Sequence, residues 1–226
     1  MIILSGSSGG IGETILPHLS KLGPVLALYN KNPPKNNGID VTCHQINLSE
    51  TESVANFIET FKSKLNEIVV VHAASLSIDG LAAQLPSSSW AEVMNINLNA
   101  NFELTKGLLS LMISQKWGRI IHISSLAATN GEVGTIAYST AKSALFGMSK
   151  VLSREYARFG VTSNVLVPGY FNVGLINSVT DSKREKILNN LPSRRLGDPI
   201  NIFNAIEFLL RSEYVNGSVI NIDGGA

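Results

Sequence analysis

The chain has little charge and almost no cysteine. Of its 226 residues only 15% are charged, and 18 basic against 17 acidic side chains leave a formal net charge of +1. That balance offers no basic face for nucleic acid, and no Lys/Arg run marks a membrane-surface segment. A single cysteine, Cys43, excludes a disulfide framework and favours a reducing, cytoplasmic compartment. Its plain reading is a small buried apolar residue. Apolar runs do not exceed strand length, and residues 1–20 lack the basic start and cleavage site of an export signal. With 44% apolar residues there is little scope for disorder. The expectation is one soluble domain, residues 1–226, with a full core.

What the chain does have is alternation of short apolar runs with helical stripes. Strands are expected over 1–5, 25–29, 41–46, 68–73, 118–124, 161–167 and 218–223. Helices are expected over 11–22, 89–115, 137–159 and 199–211, with a further one carrying Val54, Phe57, Ile58, Phe61 and Leu65 at 3.6-residue spacing. Ser49 with Glu52 resembles a capping box for that helix. Residues 30–38 form a polar, proline-containing loop, too short for a helix between the second and third strands. After Pro168-Gly169 the pattern weakens, with polar residues at Asn172, Asn177, Thr180, Asp181 and Ser182. Strands and helices alternating at this spacing imply an α/β fold, a doubly wound parallel sheet with helices on both faces.

The first strand runs into Gly6-Ser7-Ser8-Gly9-Gly10-Ile11-Gly12, and a helical pattern follows at once. Glycines there free the backbone for positive φ and close approach, and a helix start offers bare N–H groups to an anion. Besides a plain tight turn, two chemistries fit. One is a dinucleotide pyrophosphate cradle, although the spacing is G-x-x-x-G-x-G rather than G-x-G-x-x-G. The other is a nucleophile elbow, since Gly6-Ser7-Ser8-Gly9-Gly10 satisfies G-x-S-x-G. Chain order argues against the elbow: no strand precedes it to supply an oxyanion loop, and the last histidine, His122, lies on the fifth strand.

Further along, Tyr138 and Lys142 are four apart on a helix and share a face. Ser124 and Ser125 end the fifth strand, where catalytic groups of open sheets gather. A cation beside a tyrosine favours phenolate, and such a phenol can move a proton to or from an alcohol. A Tyr/Lys pair that merely pads a helix is the plain alternative. Ser139-Thr140-Ala141-Lys142 also reads S-x-x-K, but the S-D-N and K-T-G companions of penicillin-binding enzymes are missing.

Taken together, residues 2–225 resemble the short-chain dehydrogenase/reductase family. Gly6, Gly10 and Gly12 match its TGxxxGxG loop, with Ser5 for the usual threonine. Asn97 matches the family's helix asparagine, Tyr138-Ser139-Thr140-Ala141-Lys142 its YxxxK, and Pro168-Gly169 its PG turn at the nicotinamide. The 13-residue spacing to Tyr138 selects Ser125 over Ser124. The resemblance implies a Rossmann fold with strand order 3-2-1-4-5-6-7. It implies Tyr138 as general acid/base, Ser125 positioning the substrate carbonyl, Lys142 on the nicotinamide ribose lowering the tyrosine pKa, and Asn97 supporting a proton-relaying water. Gly6, Ser7, Ser8, Gly10, Ile11, Gly12, Asn30, Lys31, Asn47, Leu48, Ala73, Ala74, Tyr138, Lys142, Pro168 and Gly169 would line the cofactor, with no metal site.

Three departures stand out. The family's NNAG is His72-Ala73-Ala74-Ser75, its aspartate after the third strand is Asn47, and Val173 stands near its threonine after the PG turn. Asn47 would meet the adenine amino group as a neutral partner. At the end of the second strand, Tyr29-Asn30-Lys31 holds no carboxylate to repel a 2′-phosphate, and Lys31 is placed to pair with one, with Ser7 as a further donor. NADP(H) is therefore expected over NAD(H).

The pattern around Arg195-Leu196-Gly197-Asp198-Pro199 looks most like 3-oxoacyl-carrier-protein reductases, so a 3-oxoacyl thioester is the expected substrate. Alternatives are a reductase of another ketone (sugar, polyol, steroid or polyketide intermediate) and a non-catalytic nucleotide-sensing protein. Lys116, Arg119, Arg154 and Arg158 are candidates to meet an acidic carrier protein, or are ordinary solvated charges. Residues 170–196 would cover the site as a lid anchored by Phe171, Leu175, Ile176 and Leu191. The two long helices resemble those through which the family forms dimers and tetramers, with Met112, Leu145, Met148 and Leu152 in that contact or in the core.

Overall fold

A computed structural model describes residues 1–35, 38–174, 176 and 179–226. Asn36 and Asn37 of the 30–38 loop, and Leu175 and Asn177 after the Pro168-Gly169 turn, lie outside the described residues. Seven strands, β1 (Ile2–Ser5), β2 (Val25–Tyr29), β3 (Val41–Gln45), β4 (Val69–His72), β5 (Gly118–Ile123), β6 (Val161–Pro168) and β7 (Val219–Ile222), form one parallel sheet. Their order is β3-β2-β1-β4-β5-β6-β7. Ile2 pairs with Val25 on one side and Val69 on the other, so alternate residues face opposite layers.

On one face Ile2, Leu4, Ala27, Val71 and Ile121 pack against Ile15, Leu16 and Leu19 of α1 (Gly10–Leu19) and Ile202, Ile206 and Leu209 of α8 (Ile200–Arg211). On the other, Ile3, Leu26, Val70 and Ile120 meet Val54 and Phe57 of α2 (Thr51–Phe61). They also meet Leu104, Leu108 and Met112 of α4 (Ala100–Gln115) and Leu152 of α6 (Ile136–Tyr156). Each fully buried Leu or Ile contributes about 1.5–3 kcal/mol, so both layers are strongly held to the sheet. Met112 and Leu145 are fully buried and Leu152 nearly so; these side chains serve the core.

Several elements differ from expectation. The first helix stops at Leu19 rather than 22: after Ser20 N to Leu16 O (3.0 Å) the bonds tighten to Lys21 N–His18 O (3.2 Å) and Leu22 N–Leu19 O (2.9 Å). The helix expected over 89–115 is two helices, α3 (Ser87–Met94) and α4, joined by a π-turn, Asn95–Asn99. There Asn97 Nδ2 donates to Val93 O at 2.8 Å, inserting a side chain into the helical ladder. The Ser49/Glu52 capping box does not form: Ser49 Oγ donates instead to Asn47 Oδ1 at 2.6 Å. Two further helices, α5 (Ala127–Asn130) and α7 (Asp181–Asn190), lack an apolar stripe legible in sequence. Phe171, Ile176 and Leu191 are buried, and Phe171 belongs to the core under α1 and α8.

Candidate active site

The carboxyl ends of the strands carry the site. Ser5 closes β1, and its Oγ accepts from Ala73 N at 3.1 Å and Ala74 N at 3.2 Å, tying the β1 and β4 exits together. Gly6 then turns at φ +66°, where a Cβ would sit 2.5 Å from Ala74 Cα. A Cβ on Gly12 would lie 2.2 Å from Gly6 O, and one on Gly10 2.4 Å from Gly174 N. Gly9 precedes α1 in extended conformation without a side-chain cap. The first amides of α1, at Gly10, Ile11 and Gly12, therefore have no intrahelical acceptor and lie at the positive end of the dipole. This is a cradle built for an anion, and it fits the pyrophosphate of a dinucleotide.

Not every expected contact is open to a ligand. Ser7 N and Ser7 Oγ both donate to Leu28 O at 3.0 Å, and Ser7 is fully buried, so its hydroxyl ties the loop to β2 instead of meeting a phosphate. Asn47 Oδ1 accepts from Ser49, and its Nδ2 donates to Glu50 Oε1 at 2.7 Å; this amide organises the start of α2 and is not free for adenine. Leu48 packs against the core on that side, while Ser8 is half-buried. Asn30 and Lys31 follow β2 exposed, and Glu13 accepts from Lys35 N at 3.0 Å, fastening their loop to α1.

Around the end of β5 the two serines have different work. Ser124 Oγ donates to Lys142 O at 2.9 Å and holds α6 to the sheet. The Ser125 and Ser75 hydroxyls lie near the Tyr138 phenol and favour its ionised form. Lys142 is fully buried; its Nζ donates to Ile123 O at 2.8 Å and lies 5.7 Å from the Tyr138 ring centre. Burial lowers the Lys142 pKa to about 7. Burial also raises that of Tyr138, helped by the Glu132 carboxylate and opposed by the two serine hydroxyls. In the chain alone burial sets the direction of the Tyr138 shift, and Lys142 is not among the groups that move it.

The Asn97 side chain is fully engaged within the chain. Its Oδ1 accepts from Ser75 Oγ (3.0 Å) and Leu76 N (3.2 Å), while Nδ2 donates to Leu76 O (2.7 Å) and Val93 O (2.8 Å). All four hydrogen-bonding positions of the amide are filled, and Asn97 O accepts from Asn101 Nδ2 at 3.1 Å. The Asn97 side chain positions Ser75. Ser75 was not singled out from sequence; its standing in place of the family's last NNAG residue was the available signal. A second missed pair is Tyr170 and Glu132, whose hydroxyl-to-carboxylate bond joins the loop before α6 to the stretch after β6. Pro168 and Gly169 are pinned by Leu126 N to Pro168 O (2.9 Å) and Gly169 N to Ile222 O (3.0 Å).

Beneath Lys142, His72 and His122 pair across β4 and β5 and stack with ring centres 5.0 Å apart. His72 Nε2 meets Thr105 Oγ1 at 2.9 Å, and both Nδ1 atoms are buried without a partner. Burial and the Lys142 charge push His122 down to about 3, and His72 likewise well below its ordinary value. The candidate carrier-protein residues Lys116, Arg119, Arg154 and Arg158 lie elsewhere, at the amino ends of β5 and β6. Arg154 is separated from Tyr138 by 16 residues of α6, about 24 Å of helix.

Among the described residues no cluster of three or more His, Cys, Asp or Glu suits a metal ion, and no helix is long and apolar enough to cross a membrane. Residues 1–184 match the family described as short chain dehydrogenase. The chain is 32% identical over 231 residues to a 3-oxoacyl-[acyl-carrier-protein] reductase of Rickettsia bellii, covering 99% of this chain and 95% of the relative. It is 31% identical to the protein of that name in Pseudomonas aeruginosa and 30% identical to nodulation protein G of a Rhizobium species, with the same coverage. With its glycine cradle and its Ser125, Tyr138 and Lys142 brought to one end of the sheet, the chain belongs to the short-chain dehydrogenase family and is an NAD(P)-dependent oxidoreductase.

Proposed function

We propose that the chain uses NADPH to reduce a 3-oxoacyl thioester, borne on acyl-carrier protein or coenzyme A, to the 3-hydroxyacyl thioester. The observation that carries this reading is the convergence of the Tyr138 phenol with the Ser125 and Ser75 hydroxyls beside buried Lys142. Full-length similarity to 3-oxoacyl-[acyl-carrier-protein] reductases supports the substrate class. Absence of a carboxylate at Asn30-Lys31 supports the 2′-phosphate.

The amides of Gly10, Ile11 and Gly12 would hold the pyrophosphate, Lys31 the 2′-phosphate, and Lys142 the nicotinamide ribose, with Pro168 and Gly169 against the ring. The nicotinamide, when bound, supplies the two electrons and one hydrogen that reach C3 of the substrate. Ser125 donates a hydrogen bond to the C3 carbonyl oxygen and orients it. Tyr138, kept as a neutral phenol by burial, donates its proton to that oxygen as negative charge develops. Lys142 carries a charge that titrates near neutrality, so it can stabilise the phenolate left behind and return the proton. Asn97 locks Ser75, which keeps the phenol aimed at the cleft. The described residues of the 170–196 segment would cover the substrate. Assembly uses the outer faces of α4 and α6, where Phe102 and Val151 are exposed.

The test is NADPH oxidation with acetoacetyl thioesters, in parallel with NADH and a panel of simple ketones. Turnover of the thioesters is expected. Turnover of simple ketones alone would reject the acyl assignment in favour of a reductase for another ketone.

A further inference from the structure

At the amino end of the strands, opposite the active site, lies a cavity of about 670 Å³. Its walls are the end of α4, the start of β5, the last turns of α6 and the turn before β7. Four cations line it, Lys116, Arg119, Lys150 and Arg154, against one carboxylate, Glu213. Among the described residues none of the four is in an ion pair: the salt bridges are Lys62–Glu59, Lys106–Glu103 and Arg211–Glu207. In a chain with a net charge of +1, this is a local concentration of uncompensated charge.

The floor of the cavity adds a second, independent sign. Arg119 is only 5% exposed; its Nη1 donates to Gly118 O and Gly160 O, and its guanidinium stacks 4.6 Å from the Trp117 ring centre. Its Nε has no partner, nor has the buried hydroxyl of neighbouring Thr162. A buried guanidinium with an orphaned donor is costly unless an anion accompanies it. Glu213 is the single acid acting on Arg119, and burial lowers the guanidinium pKa despite it. Lys150 and Arg154 lie one helical turn apart on α6, are exposed and line the cavity; Lys150 Nζ donates one proton to Gly217 O at 3.3 Å and keeps two for a ligand, and Lys116, held in left-handed conformation at φ +54°, lines it from the end of α4. Four positive charges against one negative suit a multiply charged anion rather than a single carboxylate.

We propose that this cavity is a second binding site, separate from the Tyr138 cleft, for a small anion bearing two or more phosphate charges. Lys116, Lys150 and Arg154 grip the phosphate oxygens, and Arg119 on Trp117 supplies the fixed charge at the base. The cavity lies about 24 Å along α6 from Tyr138, so its occupant is not the substrate of the hydride reaction.

Trp117 reports on it directly. The chain has two tryptophans, so in a Trp90→Phe background only Trp117 emits. Inorganic pyrophosphate titrated at 0.15 M salt should give a saturable change in its emission. Lys150→Glu with Arg154→Glu should raise the midpoint at least tenfold, while Lys31→Glu, beside the glycine cradle, should leave it unchanged. A flat titration in a cooperatively folded protein overturns the proposal. So does a response that survives Lys150→Glu/Arg154→Glu, or one that is lost with Lys31→Glu.

Discussion

Lys142 is a cation with no carboxylate partner, fully buried between α6 and β5, and its removal should stabilise the protein while abolishing activity. Its pKa falls from the ordinary 10.5 to about 7 in the fold. A gap of that size corresponds to about 5 kcal/mol of unfavourable burial at neutral pH. Replacing Lys142 by Met keeps the chain volume and removes that cost, but leaves Ile123 O without its donor, which costs about 1–3 kcal/mol. The net expectation is about 2–4 kcal/mol of added stability, a Tm raised by roughly 4–16 °C at pH 7. The sign has a pH signature. Between pH 7 and 10.5 the unfolded chain holds a proton that the folded chain has released, so wild-type stability rises with pH across that window. Lys142→Met lacks this rise, so its advantage should shrink as pH climbs and reverse by pH 10.5, where the missing donor to Ile123 O leaves it about 1–3 kcal/mol less stable than wild type. Urea unfolding monitored by circular dichroism from pH 7 to 10.5 measures both. A variant less stable than wild type at pH 7, or a difference that does not change with pH, would refute the reasoning.

Other expectations follow from the same geometry. His122 is ordinarily half-protonated at pH 6.5 and stays neutral in the fold down to about 3, so stability is full above 6.5 and falls as pH drops toward 3. At pH 5 the loss from His122 is about 2 kcal/mol, and His122→Gln should flatten that limb of the stability profile. Lys31→Ala should lower kcat/KM for NADPH at least fivefold and leave the value for NADH within twofold; equal losses with both cofactors would remove Lys31 from the 2′-phosphate. Sedimentation should find a dimer or tetramer that Phe102→Glu and Val151→Glu dissociate; a monomeric wild type would rule out assembly through α4 and α6.

Much of the sheet could be read before any coordinates. Val69-Val70-Val71 and Ile120-Ile121 are unbroken apolar runs of the kind a strand buried on both faces requires, and the strand order follows the resemblance carried by the glycines and YxxxK. The 13-residue spacing separates Ser125 from Ser124, and in the fold these serines do face different partners. What escaped is how polar groups are shared out in three dimensions. Ser7 and Asn47 are the right residue types beside a nucleotide, yet Leu28 O and Glu50 already engage them. The π-turn at Asn97 depends on Leu76 O, a carbonyl 21 positions away, and no helical periodicity encodes it. The sign of the Tyr138 shift is set by burial, which a Tyr/Lys spacing does not reveal.

The central claim is that Tyr138 donates the proton in a reduction carried out by this fold. The direct measurement is kcat/KM for NADPH-dependent reduction of an acetoacetyl thioester by wild type and Tyr138→Phe, with NADPH affinity followed in both by nucleotide fluorescence. Loss of the hydroxyl should lower kcat/KM by at least about a hundredfold, the low end for a general acid, with NADPH affinity within threefold of wild type. A Tyr138→Phe enzyme that keeps more than a tenth of wild-type turnover would contradict the claim.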